Sequence, residues 1–259
     1  MEREGTNTDP RVAELVKQAE GILAVPEEVY DLAGKRLALR CVELEPFLTS
    51  DTFRLGIVGN PNRGKTTYAY SCYQALKIYS FPTSYFDLDI HSASGQAISG
   101  QLRWEERSKN PNPSPREVRE SIKAYEEVGP GVVVGDFPGK VDNPYQQDRL
   151  KVVDLAIVLG VSMADRGGWQ EVVAESGVPA LWLRSQLDRI LRYPLDPTIY
   201  ALNREPKPTD LGVLTSLTRI LEVVAETKDV SLSNPWPFFT EAERVVLEEV
   251  LDFQFAPFA

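Results

Sequence analysis

Leu55-Gly56-Ile57-Val58-Gly59-Asn60-Pro61-Asn62-Arg63-Gly64-Lys65-Thr66 is the stretch that decides the fold. A short apolar run ends at Gly59, and Gly59 to Thr66 then meets every fixed position of the phosphate-binding loop pattern, Gly-x-x-x-x-Gly-Lys-Thr, where that pattern needs a strand before it and a helix after it. The glycines let successive backbone N–H groups converge on phosphate oxygens, and the N-terminal end of the following helix adds positive potential. In that arrangement Gly59, Asn60, Asn62, Arg63, Gly64, Lys65, Thr66 and Thr67 are the candidate nucleotide-binding residues. Lys65 reaches the terminal phosphates, and Thr66 offers its hydroxyl to Mg²⁺.

Working outward, short apolar runs recur at Leu55–Gly59, Tyr85–Ile90, Val132–Gly135, Leu155–Val161, Ala180–Leu183 and Ile199–Leu202, most followed by a helical stretch. That rhythm predicts an α/β fold of three layers, a mostly parallel sheet between helices. The nucleotide-binding domain is placed at residues 52–228, with a helix over about 210–227 closing it. Residues 1–51 form an N-terminal accessory segment: Asp9-Pro10 starts a helix carrying Val12, Leu15, Val16, Ala19 and Leu23, and the alternation of Leu37, Leu39 and Cys41 with Arg36, Ala38 and Arg40 predicts a short strand or edge element. Residues 229–259 form a tail in which Asn234-Pro235-Trp236-Pro237-Phe238-Phe239 leads to a helix from about Glu241. Lys109 to Glu117, rich in Asn and Pro, is a candidate lid or substrate loop.

Composition narrows the function classes. With 28 Lys+Arg against 38 Asp+Glu the 259-residue chain carries a net charge of −10, which argues against broad wrapping of nucleic acid. At 42% hydrophobic and 25% charged it has the make-up of a folded domain. Cys41 and Cys72 are far apart and lack metal-ligand spacing, which excludes a structural zinc site and fits a reducing compartment. No signal-peptide pattern opens the chain and no apolar run is long enough to span a bilayer, so a cytoplasmic location without membrane attachment is expected.

The acidic elements supply the chemistry that a phosphate loop needs. Val132-Val133-Val134-Gly135-Asp136-Phe137-Pro138-Gly139 ends a strand in an aspartate and a Pro-Gly turn, placing Asp136 to hold the water shell of Mg²⁺ and the Gly139 amide to meet a terminal phosphate. On Ser84-Tyr85-Phe86-Asp87-Leu88-Asp89-Ile90, strand alternation puts Asp87 and Asp89 on one face. Two carboxylates there suit the surroundings of a metal or general-base work on an attacking oxygen, and they also suit a salt-bridged strand end. The candidate catalytic set is Lys65, Asp87, Asp89 and Asp136, and the candidate metal set is Thr66, Asp89 and Asp136. His91 follows the second run, Arg103 and Arg107 flank Trp104 in the excursion, and Asn203 and Asp188 are competing readers of a nucleobase at strand ends.

On Gly59–Thr66 and Asp136–Gly139 the chain resembles the P-loop NTPase superfamily over about residues 53–228. By layout, Asp87 and Asp89, Asp136 and Gly139, and Asn203 resemble the class of signal-recognition, MinD-like and BioD-like proteins, although the extra signature lysine of MinD-like members is missing between Asn60 and Arg63. The loop also resembles translation-factor-like GTPases, whose guanine-reading Asn-Lys-x-Asp has only its aspartate here, in Ser185-Gln186-Leu187-Asp188. Asp87 to Ser94 with Asp136 to Lys140 is similar, more distantly, to the P-loop ATPase domain associated with CRISPR ring nucleases. What the resemblance implies is an Mg²⁺-dependent enzyme that hydrolyses ATP or transfers its γ-phosphate to an acceptor. The alternatives it leaves open are a GTP-driven switch and a nucleotide-sensing scaffold acting on a protein partner.

Overall fold

The computed structural model describes residues 27–90, 94–100, 113–160, 163–184, 211–233 and 240–241. In chain order these give α1 (Glu27–Leu48), β1 (Thr52–Gly59), α2 (Lys65–Ile78), β2 (Thr83–Asp87), α3 (Ser94–Ile98), α4 (Pro115–Glu126), β3 (Gly131–Asp136), α5 (Gln146–Leu150), β4 (Leu155–Gly160), α6 (Met163–Ser176), β5 (Ala180–Arg184) and α7 (Leu211–Thr227). The five strands form one parallel sheet in the order β2-β3-β1-β4-β5, so β1 and its phosphate loop lie at the centre.

Strand alternation sorts the apolar side chains into two cores, one on each face. Phe53, Leu55 and Ile57 of β1, Val132 and Val134 of β3, and Leu155, Ile157 and Leu159 of β4 point to a core shared with α1, α2 and α7. Their neighbours Val58, Val133, Ala156 and Val158 point the other way, to Val118, Ile122 and Tyr125 of α4, Leu150 of α5, and Trp169 and Val173 of α6. Both faces being covered explains why the strands read as continuous apolar runs. The three-layer parallel α/β fold expected from the sequence is what the chain adopts.

Three local readings are corrected. Leu37, Leu39 and Cys41 belong to the helix α1, not to a strand. Leu37, Cys41, Leu44 and Leu48 recur with helical spacing and are all buried, whereas the alternation involving Leu39 is incidental. Second, β2 stops at Asp87 instead of running to Ile90. Third, Pro115 to Glu117 is no loop but the first turn of α4. There Ser114 accepts from the Glu117 amide at 3.2 Å and Glu117 accepts from the Ser114 amide at 2.6 Å, a capping box with proline at the first position.

Ion pairs tie α1 to α7 beside the core they share. Arg36 meets Glu222 of α7 at 2.8 Å, and Arg40 meets the same carboxylate at 3.6 Å and Glu43 at 2.7 Å. Among the described residues no helix is long and apolar enough to cross a membrane.

Candidate functional site

The phosphate loop leaves the end of β1 and enters α2 at Lys65. Gly64 precedes the helix in the left-handed conformation, φ 77° and ψ 17°, where a side chain would be strained, so the second glycine of the loop has a backbone reason. Asn62 is also left-handed at φ 62°, a conformation that asparagine tolerates better than most residues. Asn60 is fixed from two sides: its carbonyl accepts from Lys65 Nζ at 3.2 Å, and its Oδ1 accepts from the Trp169 indole N–H at 3.1 Å. Trp169, fully buried on α6, thereby braces the loop from beneath.

Lys65 and Asp136 lie inside the protein at the centre of the site, 7% and 0% exposed. Burial pushes the Asp136 carboxyl well above the usual range, and the charge of Asp87 adds to this, while Lys65 and hydrogen bonding by Thr66 pull it back. Burial lowers the Lys65 ammonium in turn, opposed by the negative charges of Asp136 and Asp89. Each group's charge thus offsets part of what burial costs the other, and burial remains the larger effect on both. The Pro138–Lys140 turn closes over them. A Cβ on Gly139 would lie 2.7 Å from Lys65 Nζ and 2.8 Å from the Pro61 amide nitrogen, so this turn and the phosphate loop touch at a point where only hydrogen fits.

The acidic pair Asp87 and Asp89 separates in position. Asp87 stands opposite Asp136 in the β2–β3 register. Its Oδ1 accepts from the Asp89 amide at 2.9 Å and its Oδ2 from the Gly95 amide at 2.8 Å. The first of these bonds is an aspartate side chain capturing the amide two residues on, and it ends the strand there. Asp89 therefore lies in the loop beyond β2 and not on the strand face shared with Asp87. Asp87 is pushed up to about 7 by burial and by the charge of Asp89, against the pull of its two amide donors. Tyr85 approaches Asp136 Oδ2 from the same strand with its hydroxyl at 3.5 Å, and burial raises that phenol.

Sequence reasoning did not single out the contribution of α5. Gln146, 1% exposed, donates its amide to the carbonyls of Pro138 at 2.7 Å and Lys140 at 2.9 Å, so it grips the turn on both sides of Gly139. Arg149, one turn further along and also 1% exposed, donates to Asn143 Oδ1 at 3.2 Å. Neither residue carries a linear signal of burial, because Gln-Gln-Asp-Arg reads as a solvated turn. Tyr85 and Trp169 were missed likewise, as ordinary aromatic residues of a strand and a helix.

Of the candidates, Gly59, Asn60, Asn62, Arg63, Gly64, Lys65, Thr66 and Thr67 lie on one loop and helix start, and Asp136, Gly139, Asp87 and Asp89 lie at the same carboxyl edge of the sheet. His91, Arg103, Trp104, Arg107, Asp188 and Asn203 lie outside the described residues, as do the strand at 199–202 and the N-terminal helix starting at Pro10. The site is chemically suited to Mg²⁺. Asp136 Oδ1 is buried and has no hydrogen-bond partner among the described residues, and Thr66 acts on the same carboxyl. Among the described residues no three His, Cys, Asp or Glu side chains form a group that could hold a metal ion.

No protein-family model matches the chain, and no curated protein does. Solved structures are similar in part. The MinC:MinD cell division protein complex of Aquifex aeolicus aligns at 11% identity over 66% of this chain and 96% of that chain, with a TM-score of 0.43. Helicobacter pylori folylpolyglutamate synthetase aligns at 13% identity over 78% and 62%, TM-score 0.34, and LAO/AO transport system kinase at 14% identity over 90% and 88%, TM-score 0.26. The class of this chain follows from its own sheet order and loop: a parallel three-layer α/β fold with a P-loop entering the helix after its central strand.

Proposed function

We propose that the protein binds a nucleoside triphosphate with Mg²⁺ and cleaves its γ-phosphate, passing it to water or to an acceptor hydroxyl. One observation carries the reading: the loop Gly59–Thr66 joins the central strand to α2 and brings Lys65 against the Gly139 turn, where the charge of Asp136 acts on it. Lys65 and the loop amides hold the β- and γ-phosphates and offset the charge that develops on transfer. Thr66 and Asp136 organise the metal, whose contribution when bound is to neutralise phosphate oxygens.

Asp89, held in place by the bond from its amide to Asp87, takes the proton of the attacking O–H. The new bond joins that oxygen to phosphorus, the bond from phosphorus to the bridging oxygen breaks, and the nucleoside diphosphate leaves with the electron pair. ATP is favoured over GTP because Ser185 to Asp188 lacks the asparagine and lysine of the guanine motif. A protein partner or acceptor completes the reading, with the excursion after β2 as the place it would meet.

The test is a thermal-shift panel of ATP, GTP and their diphosphates with and without Mg²⁺ on the native protein and Lys65→Ala. Specific binding raises apparent stability by mass action. A triphosphate-dependent rise in the native protein, lost in Lys65→Ala, is expected, and equal behaviour of the two proteins would refute the assignment.

A further inference from the structure

Arg149 is a buried cation with unused hydrogen-bonding capacity. It is 1% exposed, its Nη1 donates to Asn143 Oδ1 at 3.2 Å, and its Nε and Nη2 have no hydrogen-bond partner among the described residues. Leaving charged donors buried and unsatisfied is costly, and an acceptor bound there would relieve that cost. The acceptor has to be anionic to repay the burial, which already lowers this guanidinium to about 10.

The position of Arg149 says which anion. The negative charge of Asp89 acts on both Arg149 and Lys65, so both cations lie within its electrostatic reach. The helix that carries Arg149 is fixed to the site by its other buried polar side chain: Gln146 grips the Pro138 and Lys140 carbonyls, and Gly139 between them abuts Lys65 Nζ. Arg149 is thus held on the same short, buried run of contacts that closes over the end of the phosphate loop. A guanidinium presents several N–H groups in a planar fork, which suits a phosphoryl group bearing several oxygens.

We propose that Arg149 donates its Nε and Nη2 N–H groups, unpartnered among the described residues, to oxygen of the terminal phosphoryl group, so that the chain supplies its own arginine to the reacting end of the nucleotide. The proposal rests on the nucleotide reading above and deepens it. Before nucleotide arrives, Asn143 parks the guanidinium; with triphosphate bound, the phosphoryl oxygens complete its hydrogen bonding. A diphosphate does not reach it, which makes Arg149 a reader of the γ-phosphate.

The experiment is equilibrium binding, with Mg²⁺, of ADP and the non-hydrolysable imido analogue of ATP, and in parallel of the guanosine pair, to the native protein, Arg149→Gln and Arg149→Lys. The native protein is expected to prefer the triphosphate analogue. In Arg149→Gln that preference falls by about tenfold or more, the worth of one charge-assisted hydrogen bond, while diphosphate affinity stays within about twofold. Arg149→Lys, which keeps the charge but not the fork, loses a smaller factor of the preference and serves alone if the glutamine variant does not fold. Because the readout is a ratio within each variant, the fraction of folded protein cancels. A triphosphate-to-diphosphate ratio equal to the native one overturns the role of Arg149 and leaves the nucleotide reading standing. If the native protein binds none of the four nucleotides, the nucleotide reading itself fails, and the role of Arg149 with it.

Discussion

Replacing Gly139 by alanine probes the contact between the Pro-Gly turn and the phosphate loop with a single methyl group. The added carbon would lie 2.7 Å from Lys65 Nζ, 2.8 Å from the Pro61 nitrogen and 3.0 Å from Pro61 Cα. Ordinary contacts of a methyl carbon are about 3.5–4.0 Å, so each neighbour must yield by roughly half an ångström or more. Lys65 is the end of a flexible side chain and can move, but both Pro61 atoms are backbone and can yield only by shifting the loop. Overpacking of this kind costs about 1–3 kcal/mol of stability. The larger effect falls on turnover, because a misplacement approaching 1 Å in a site of fixed geometry costs on the order of a hundredfold. Phosphate release from ATP in steady state, measured beside the urea midpoint, separates the two. Gly139→Ala with native turnover and native stability would mean that the turn and the loop do not close on each other as described.

Two further perturbations address parts of the fold that support the site. Glu222→Ala removes the carboxylate shared by Arg36 and Arg40, whose side chains are 10% and 4% exposed, and the urea midpoint should report a loss toward the lower end of the about 3–5 kcal/mol typical of breaking a buried pair; a shift below about 1 kcal/mol would show that α1 is held by its apolar face alone. Asp87 binds its proton more tightly in the folded state, about 7 against an ordinary 3.8, so its contribution to stability is complete below pH 4 and is lost as pH rises through 7. That gives a falling stability of up to about 1.4 kcal/mol per pH unit across the interval, shared with Asp136, and Asp87→Asn should flatten part of it in urea titrations at pH 4.5, 6 and 7.5. An unaltered slope in the variant would assign the titration elsewhere.

The central sheet was legible because its strands are covered on both faces and therefore read as apolar runs that end in glycine or acid. The site was legible where chemistry demands particular residues in a row, as at Gly59–Thr66 and Asp136–Gly139. It was not legible where burial alone gives a residue its role. Arg149 and Gln146 look solvated in sequence, and only the packing of α5 under the Pro138–Lys140 turn makes them interior. Strand periodicity puts Asp87 and Asp89 on one face, and it could not show that the first captures the amide of the second, ends the strand and breaks the alternation. The helix α1 failed for a related reason: over a window as short as Leu37–Cys41 a period of two cannot be told from part of a period of 3.6, and the buried Leu44 and Leu48 that settle the matter lie beyond it.

The sheet order also governs when the site can exist during folding. The strand that carries the phosphate loop comes first in the chain, yet it is paired on one side by β3 and on the other by β4, both of which are synthesised much later. Such non-local pairings bear the full loop-closure cost before they return any stability, and they form slowly. A nascent chain that has emerged only through α2 thus carries the complete Gly59–Thr66 motif without the strands that shape it. The loop gains its brace from Trp169 and its neighbour Asp136 only after α6 and β3 are in place, so on the proposed reading nucleotide binding would seal a finished sheet and not serve as a template on which the sheet assembles.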